Sequence, residues 1–326
     1  MSLAVRGISY MVEEVPLDAV RRDLRVIREE LHCNAVILIG MDIQRLMESA
    51  EYALEVGLDV WIEPHPSDIP YVKVVSNLAV TAAAAERLRA RYPGRVFFIL
   101  GCEFSLHLHG MIPGRPETVR ILFTMKWRHR FRRRINRKVN DLLSDALATV
   151  RSVFNGPVTY ASAAWEEVDW SGFDYVGVNL YRTASNAHRF TDHLRELQET
   201  SGKPLVITEF GCGSFVGAPK KGPGSFKIVN WFSLPPRIRK GHIRSERIQA
   251  AYIAHLIDVY DSQGVHGCFV FTFSLKDYPH HQDPRFDLDM AAFGVVKVSA
   301  EDPTRWERKE AFHELARQYS ELAGRS

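Results

Sequence analysis

Eight short apolar segments, nearly all separated by stretches of helical period, predict an α/β protein built as a (β/α)8 TIM barrel. Two of them, Val96-Phe-Phe-Ile-Leu-Gly-Cys-Glu103 and Pro204-Leu-Val-Ile-Thr-Glu209, end on a glutamate. Consecutive apolar or β-branched residues fit a parallel strand covered on both faces, where nothing has to alternate. A carboxylate at the end of such a strand is out of place unless it has work to do. No G-x-G-x-x-G or Walker-type loop follows an early strand, which weakens the open doubly wound sheet as an alternative.

Taken in order, residues 5–10 read as a first strand. Pro16 opens a helix with Leu17, Val20, Leu24, Ile27 and Leu31 on one face. Residues 35–39 form a second strand, and a helix over 42–56 is stopped by Gly57. The third strand is 58–62, with Glu63-Pro-His-Pro-Ser-Asp68 as its exit loop. An alanine-rich helix over 76–91 ends before Pro93-Gly94, and 96–100 is the fourth strand. A long basic excursion leads to a helix with Ile135, Val139, Leu142, Leu143, Ala146 and Val150 on one stripe. Residues 158–162 make a fifth strand, and only a short turn or helix (165–170) separates it from the sixth, 175–180. A helix marked by Phe190, Leu194 and Leu197 precedes the Glu209 strand. A basic loop follows, then a helix over 245–262, an eighth strand over 267–273 and a closing helix with Trp306, Phe312, Leu315 and Tyr319. Without an internal repeat or a low-complexity linker, residues 1–326 read as one domain.

The composition, 46% hydrophobic and 25% charged, is that of a globular chain, and no apolar run is long enough to span a membrane. Cys33, Cys102, Cys212 and Cys268 lack C-x-x-C spacing, so free thiols are expected. A strand near Met1 leaves no room for a signal peptide, and a cytoplasmic location is the expectation. The net charge of +3 is uneven: residues 115–138 carry +9 and residues 212–244 carry +7, which leaves −13 on the rest. Both basic segments follow glutamate-bearing strands. They should rise around the catalytic mouth and attract anions, so an anionic glycan or sugar conjugate is the expected substrate class. Trp127, Phe131, Phe226, Trp231 and Phe232 are interleaved with the cations and suit stacking on sugars or a partner surface.

In a barrel, ligands meet the C-terminal ends of the strands. That rule delivers His65, Glu103, Trp165, Tyr181, Glu209 and Asp277, with Asn179 and Phe271 beside them. Glutamates on the fourth and seventh strands face each other across the mouth. Two flanking carboxyl groups, one protonated and one ionised, are what hydrolysis of a glycosidic bond requires.

Thr208-Glu209-Phe210-Gly211 resembles the nucleophile strand of the retaining glycoside hydrolase superfamily with glutamates on strands four and seven (clan A). Tyr175-Val-Gly-Val-Asn-Leu-Tyr181 is similar to its sixth strand, and Phe293-Gly-Val-Val296 to a segment after its eighth. The resemblance implies that Glu209 is the nucleophile, Glu103 the general acid/base, Tyr181 the orienter of Glu209 and His65 a sugar contact, with Trp165, Asn179, Trp231 and Phe271 as further substrate-binding candidates. It implies no cofactor and no metal. Two positions depart from the pattern. Cys102 stands where the family has an asparagine before the acid/base, and Phe269, Phe271 and Phe273 are offered where the eighth strand has a tryptophan.

Solvated loop histidines account for His107, His109, His280 and His281, none of which has ligand spacing, and Gly211-Cys-Gly-Ser214 fails the G-x-S-x-G pattern. The expected partner is a carbohydrate, with no specific nucleic acid. Two rival readings stand beside the hydrolase: a non-catalytic glycan- or anion-binding barrel, and a glycosyl-transferring or biosynthetic enzyme with the same carboxylates.

Overall fold

The computed structural model describes residues 3–13, 15–66, 69–114 and 117–325. Strands β1 (Val5–Met11), β2 (Ala35–Gly40), β3 (Asp59–Pro64), β4 (Val96–Cys102), β5 (Val158–Ala163), β6 (Val176–Asn179) and β7 (Leu205–Phe210) belong to one closed barrel. A two-stranded hairpin, β8 (Val229–Asn230) with β9 (Arg237–Ile238), interrupts the order before the eighth barrel strand, β10 (Gly267–Val270). Every pairing in the barrel is parallel, and β10 closes it against β1 and β7. A second small ladder, β11 (Val296–Val298) with β12 (Trp306–Arg308), precedes the last helix.

The longer helices cover the barrel: α1 (Leu17–Glu29), α2 (Ile43–Glu55), α3 (Val74–Arg91), α5 (Glu117–Arg151), α6 (Phe190–Ser201), α8 (Glu246–Ser262) and α9 (Glu310–Ala323). Single-turn helices α4 (Phe104–His107) and α7 (Ala218–Lys221) lie just beyond β4 and β7. Val20, Leu24 and Ile27 of α1 and Ile253, Leu256 and Ile257 of α8 are buried against the outer barrel wall, as their helical spacing requires. The barrel interior holds Ile37, Trp61, Ile99, Ala161, Val206 and Phe269, with Trp61 stacked on Phe97 at 4.6 Å and edge-on to Phe269 at 5.3 Å. Gly7 makes room for Phe269, since a Cβ there would lie 2.1 Å from that ring.

Three expectations change. Most of the basic segment 115–138 is helix, because α5 begins at Glu117. Arg and Lys are good helix formers, and apolar residues recur every fourth position at Val119, Phe123, Phe131, Ile135 and Val139. Residues 115 and 116 and the side chain of Trp127 lie outside the described residues. The third strand runs on through Glu63 and Pro64, and the eighth stops at Val270.

The connection from β5 to β6 carries no helix and leaves a groove of about 990 Å³ on the barrel flank, lined by Arg132, Trp165, Glu167, Trp170 and Lys203 among others. Neither Glu103 nor Glu209 lines it.

Behind the β7–α8 segment, Arg244 bonds Asp287 (2.8 Å), Asp289 (2.9 Å) and Glu246 (2.7 Å). The fully buried Lys309 bonds Asp289 from the start of α9 at 3.1 Å. Breaking a buried pair leaves a charge without compensation. Lys309→Met should therefore destabilise the fold by about 3 kcal/mol. Urea unfolding reads this, and an unchanged midpoint contradicts it.

Candidate functional site

The site is assembled where the strands lose their regular pairing. Register shifts fall at Ile99/Cys102 between β4 and β5, at Val178/Asn179 between β6 and β7, and at Cys268/Val270 between β7 and β10. Such irregularities re-aim side chains at strand ends. At the end of β4, Gly101 has φ +144° and Glu103 has φ +40° and ψ +52°. The left-handed region is unfavourable for a glutamate by about 1–3 kcal/mol and persists only where the surroundings enforce it. Here the Glu103 N–H donates to the Ala161 carbonyl at 2.9 Å, while its own carbonyl accepts from Leu106 and His107.

A continuous set of hydrogen bonds joins the two glutamates. Tyr181 Oη donates to Glu209 Oε2 at 2.9 Å, and the Cys102 thiol lies 3.8 Å from Glu209 Oε1, a weak sulfur donor. Asn179 Nδ2 is 3.2 Å from Cys102 Sγ and donates to Glu103 Oε1 at 3.1 Å. Thr208 Oγ1 donates to Asn179 Oδ1 at 2.7 Å, which fixes the amide with its nitrogen toward Glu103. Cys102 of β4, Asn179 of β6 and Thr208 of β7, with Tyr181 just beyond β6, thus hold both carboxyl groups.

Burial pushes Glu103 up to about 8, reinforced by the charges of Glu209 and Glu166 and opposed by Asn179 and His65. Burial, with Glu63, also pushes Glu209 up to about 8, opposed by the Tyr181 and Cys102 donors. Ionising one group disfavours ionising the other, so the pair titrates as a unit. Tyr181 and Cys102 both donate to Glu209, whereas Glu103 has one amide. When the pair carries one proton, the charge settles on Glu209 and the proton on Glu103.

Glu63 is a third carboxylate at the mouth, 1% exposed and 3.3 Å from His65 Nδ1. In the sequence it falls in the exit loop beside Pro64; its two-residue spacing from His65, which puts both on one face of an extended chain, is the signal that could have found it. His65 packs edge-on to His107 at 4.9 Å. Ligand atoms of Glu63, His65 and Cys102 lie within 4.8 Å of one another. Burial and the neighbouring carboxylates hold the Cys102 thiol well above its ordinary value, and only a thiolate binds metal. As it stands the group offers a carboxylate and an imidazole.

The structure brings Glu103, Glu209, Asn179 and Tyr181 together, with His65 beside them through Glu63. Phe271 stands at the rim, its ring 5.8 Å from Phe293, which in turn meets Tyr181 at 6.0 Å. Phe269 is sealed in the barrel and Phe273 packs on Tyr10 and Trp306, so of the three phenylalanines Phe271 alone is partly exposed. From Phe293 an aromatic wall continues through Phe226 (4.7 Å) and Tyr278 (5.2 Å) to the half-exposed Trp231 (5.6 Å). Trp165 donates to Ser105 Oγ at 3.1 Å and lines the flank groove. Asp277 is exposed.

Residues 135–291 match the model of Glycoside Hydrolase Family 113, a span that includes Asn179, Tyr181 and Glu209 and excludes Glu103. A GH113 beta-1,4-mannanase shares 16% identity and a TM-score of 0.65, over 98% of this chain and 99% of its own. A GH113 beta-mannanase from Alicyclobacillus acidocaldarius shares 17% identity and a TM-score of 0.62, over 98% and 97%. A β-glucuronidase from Ruminococcus gnavus shares 14% and 0.61, over 97% of this chain and 50% of its own. At these identities the structural likeness carries the fold. No curated protein matches the chain. Fold and family match define the class: this is a glycosidase of the (β/α)8-barrel glycoside hydrolase superfamily.

A carboxyl group whose value is raised on folding stabilises the fold below its ordinary value, and that contribution is lost as pH rises through the folded value. For Glu103 the window runs from 4.5 up to about 8. The melting temperature of the wild type relative to Glu103→Gln, which stays neutral, should therefore fall as pH rises across this window. A difference independent of pH contradicts the raised value.

Proposed function

We propose that the protein is a retaining glycosidase in which Glu209 is the nucleophile and Glu103 the general acid/base. The observation that carries this reading is the asymmetry of the bridged pair: two hydroxyl or thiol donors aimed at Glu209, one amide at Glu103. In the first step Glu209 attacks the anomeric carbon as the protonated Glu103 gives its proton to the departing glycosidic oxygen. This leaves a glycosyl ester on Glu209 and a free alcohol. In the second step Glu103, now ionised, takes a proton from water as that water attacks the anomeric carbon and releases Glu209. Tyr181 holds Glu209 in place. The Asn179 amide, supplied from β6, donates to Glu103, whereas the residue before the acid/base, an asparagine in the superfamily pattern, is Cys102 here.

The charges acting on the pair are other carboxylates, with His65 as the cationic influence on Glu103. This favours a neutral hexoside at the cleavage position, in keeping with the beta-mannanases among the similar structures. The basic residues after β7 stand on the outer loop. They would act on a charged surface or on more distant parts of an anionic substrate.

Turnover of a panel of nitrophenyl β-mannoside, β-glucoside and β-glucuronide and of β-1,4-manno-oligosaccharides, followed by proton NMR, tests the reading. The first product anomer should be β. First appearance of the α-anomer points to inversion, and sugar binding without turnover favours the non-catalytic barrel that Cys102 suggests. Glu103→Gln should lower kcat/KM by about 10²–10⁴ on unactivated substrates. Tyr181→Phe removes a donor from the Glu209 carboxylate, raises its value and should move the acid limb of the pH profile upward. A limb that stays put contradicts the orienting role.

A further inference from the structure

Between β7 and α8, residues 212–244 contain seven Lys or Arg and no Asp or Glu. The β8–β9 hairpin rises from this segment, and its turn reads Trp231-Phe-Ser-Leu-Pro-Pro236. Phe232 is 96% and Leu234 92% exposed. Apolar side chains left this open on a turn have little packing among the described residues, unlike the scattered half-exposed residues of an ordinary surface. Ile243 (68%) and Val216 (55%) extend the apolar area across the same segment, bonded backbone to backbone.

Within the same segment, Lys220 and Lys221 of α7 and Arg237, Arg239 and Lys240 on and just after β9 are exposed, and among the described residues none of the five pairs with a carboxylate. The segment's seventh cation, Arg244, is the one committed to a buried ion network. Burial lowers both Lys227 and His242, and the nearby charge of Lys221 adds to it.

We propose that the β8–β9 hairpin docks the protein on an anionic lipid surface. Phe232 and Leu234 would enter the boundary between headgroups and acyl chains, and the exposed Lys and Arg of the segment would lie on the anionic headgroups. A convex apolar tip set in cations complements a deformable, negatively charged layer. A flat protein interface would instead deplete Lys at its centre. Trp231, at the base of the tip, is also the outer end of the aromatic wall that runs back to Tyr181. Docking would therefore hold the barrel mouth toward the lipid layer. The inference stands on exposure and charge alone and is independent of the hydrolytic reading.

The full chain is sedimented with vesicles of phosphatidylcholine alone and of phosphatidylcholine mixed with phosphatidylglycerol. Binding is expected to the mixed vesicles, to weaken with salt, and to fall about tenfold or more in Phe232→Glu/Leu234→Glu. Lys220→Glu/Lys240→Glu should lose binding as well, and unchanged melting temperatures of both variants show that the fold is intact. Absence of wild-type binding to mixed vesicles overturns the proposal. Binding insensitive to Phe232→Glu/Leu234→Glu also overturns it, as adhesion of a polycation. So does a wild-type dimer in sedimentation velocity that Phe232→Glu/Leu234→Glu dissociates, which makes the tip a contact between two copies.

Discussion

Two carboxyl groups held together in a largely closed strand-end site, each only partly exposed and with no Lys or Arg paired to either among the described residues, are the constraint on which the rest of this structure turns. Burying one carboxylate without a cation is unfavourable, and burying two is more so. The fold answers with placement: Tyr181 and Cys102 donate to one, Asn179 to the other, and Thr208 fixes the amide that does so. The arrangement turns an electrostatic penalty into a difference between two otherwise identical groups, and acid/base chemistry needs such a difference.

The barrel supplies that placement through its irregularities. Regular parallel pairing over the lower part of each strand buries an apolar interior around Trp61 and Phe269. At the upper ends the register slips beside Cys102, Asn179 and Val270, and Glu103 adopts a left-handed conformation that helix or strand would never impose. Strain at one residue is tolerable because the strands beneath it are rigid. Below the outer loop, the Arg244–Asp289–Lys309 network ties the β7–α8 segment to α9, so the mobile-looking basic composition of that segment rests on a fixed base.

The sequence carried the barrel and the Glu103/Glu209 pair clearly, because strands buried on both faces appear as unbroken apolar runs and a terminal glutamate interrupts them visibly. Asn179 and Tyr181 were legible from their strand-end position and from resemblance. Glu63 was not, because proline normally ends a strand and Pro64 hid the last residues of β3. Helix α5 was hidden by its charge, since ten cations between 115 and 138 suggest a solvated loop until the four-residue apolar spacing is weighed. Which of Phe269, Phe271 and Phe273 reaches the mouth depends on where β10 stops and its pairing slips, a tertiary fact with no local signature. Trp165, expected at the mouth from strand order, bonds Ser105 just beyond Glu103 and also lines the groove left by the helix-free β5–β6 connection.

The central claim is that, when the pair carries a single proton, that proton resides on Glu103. Carbon-13 NMR of protein labelled at glutamate carboxyls, assigned by difference with Glu103→Gln and Glu209→Gln, measures this directly. The account predicts that Glu209 gives up its proton first, while the Glu103 carboxyl is still protonated at neutral pH and titrates toward 8. In Glu209→Gln, the loss of the neighbouring charge should shift the Glu103 titration to lower pH. An ionised Glu103 at neutral pH, or a titration unmoved by Glu209→Gln, would contradict it.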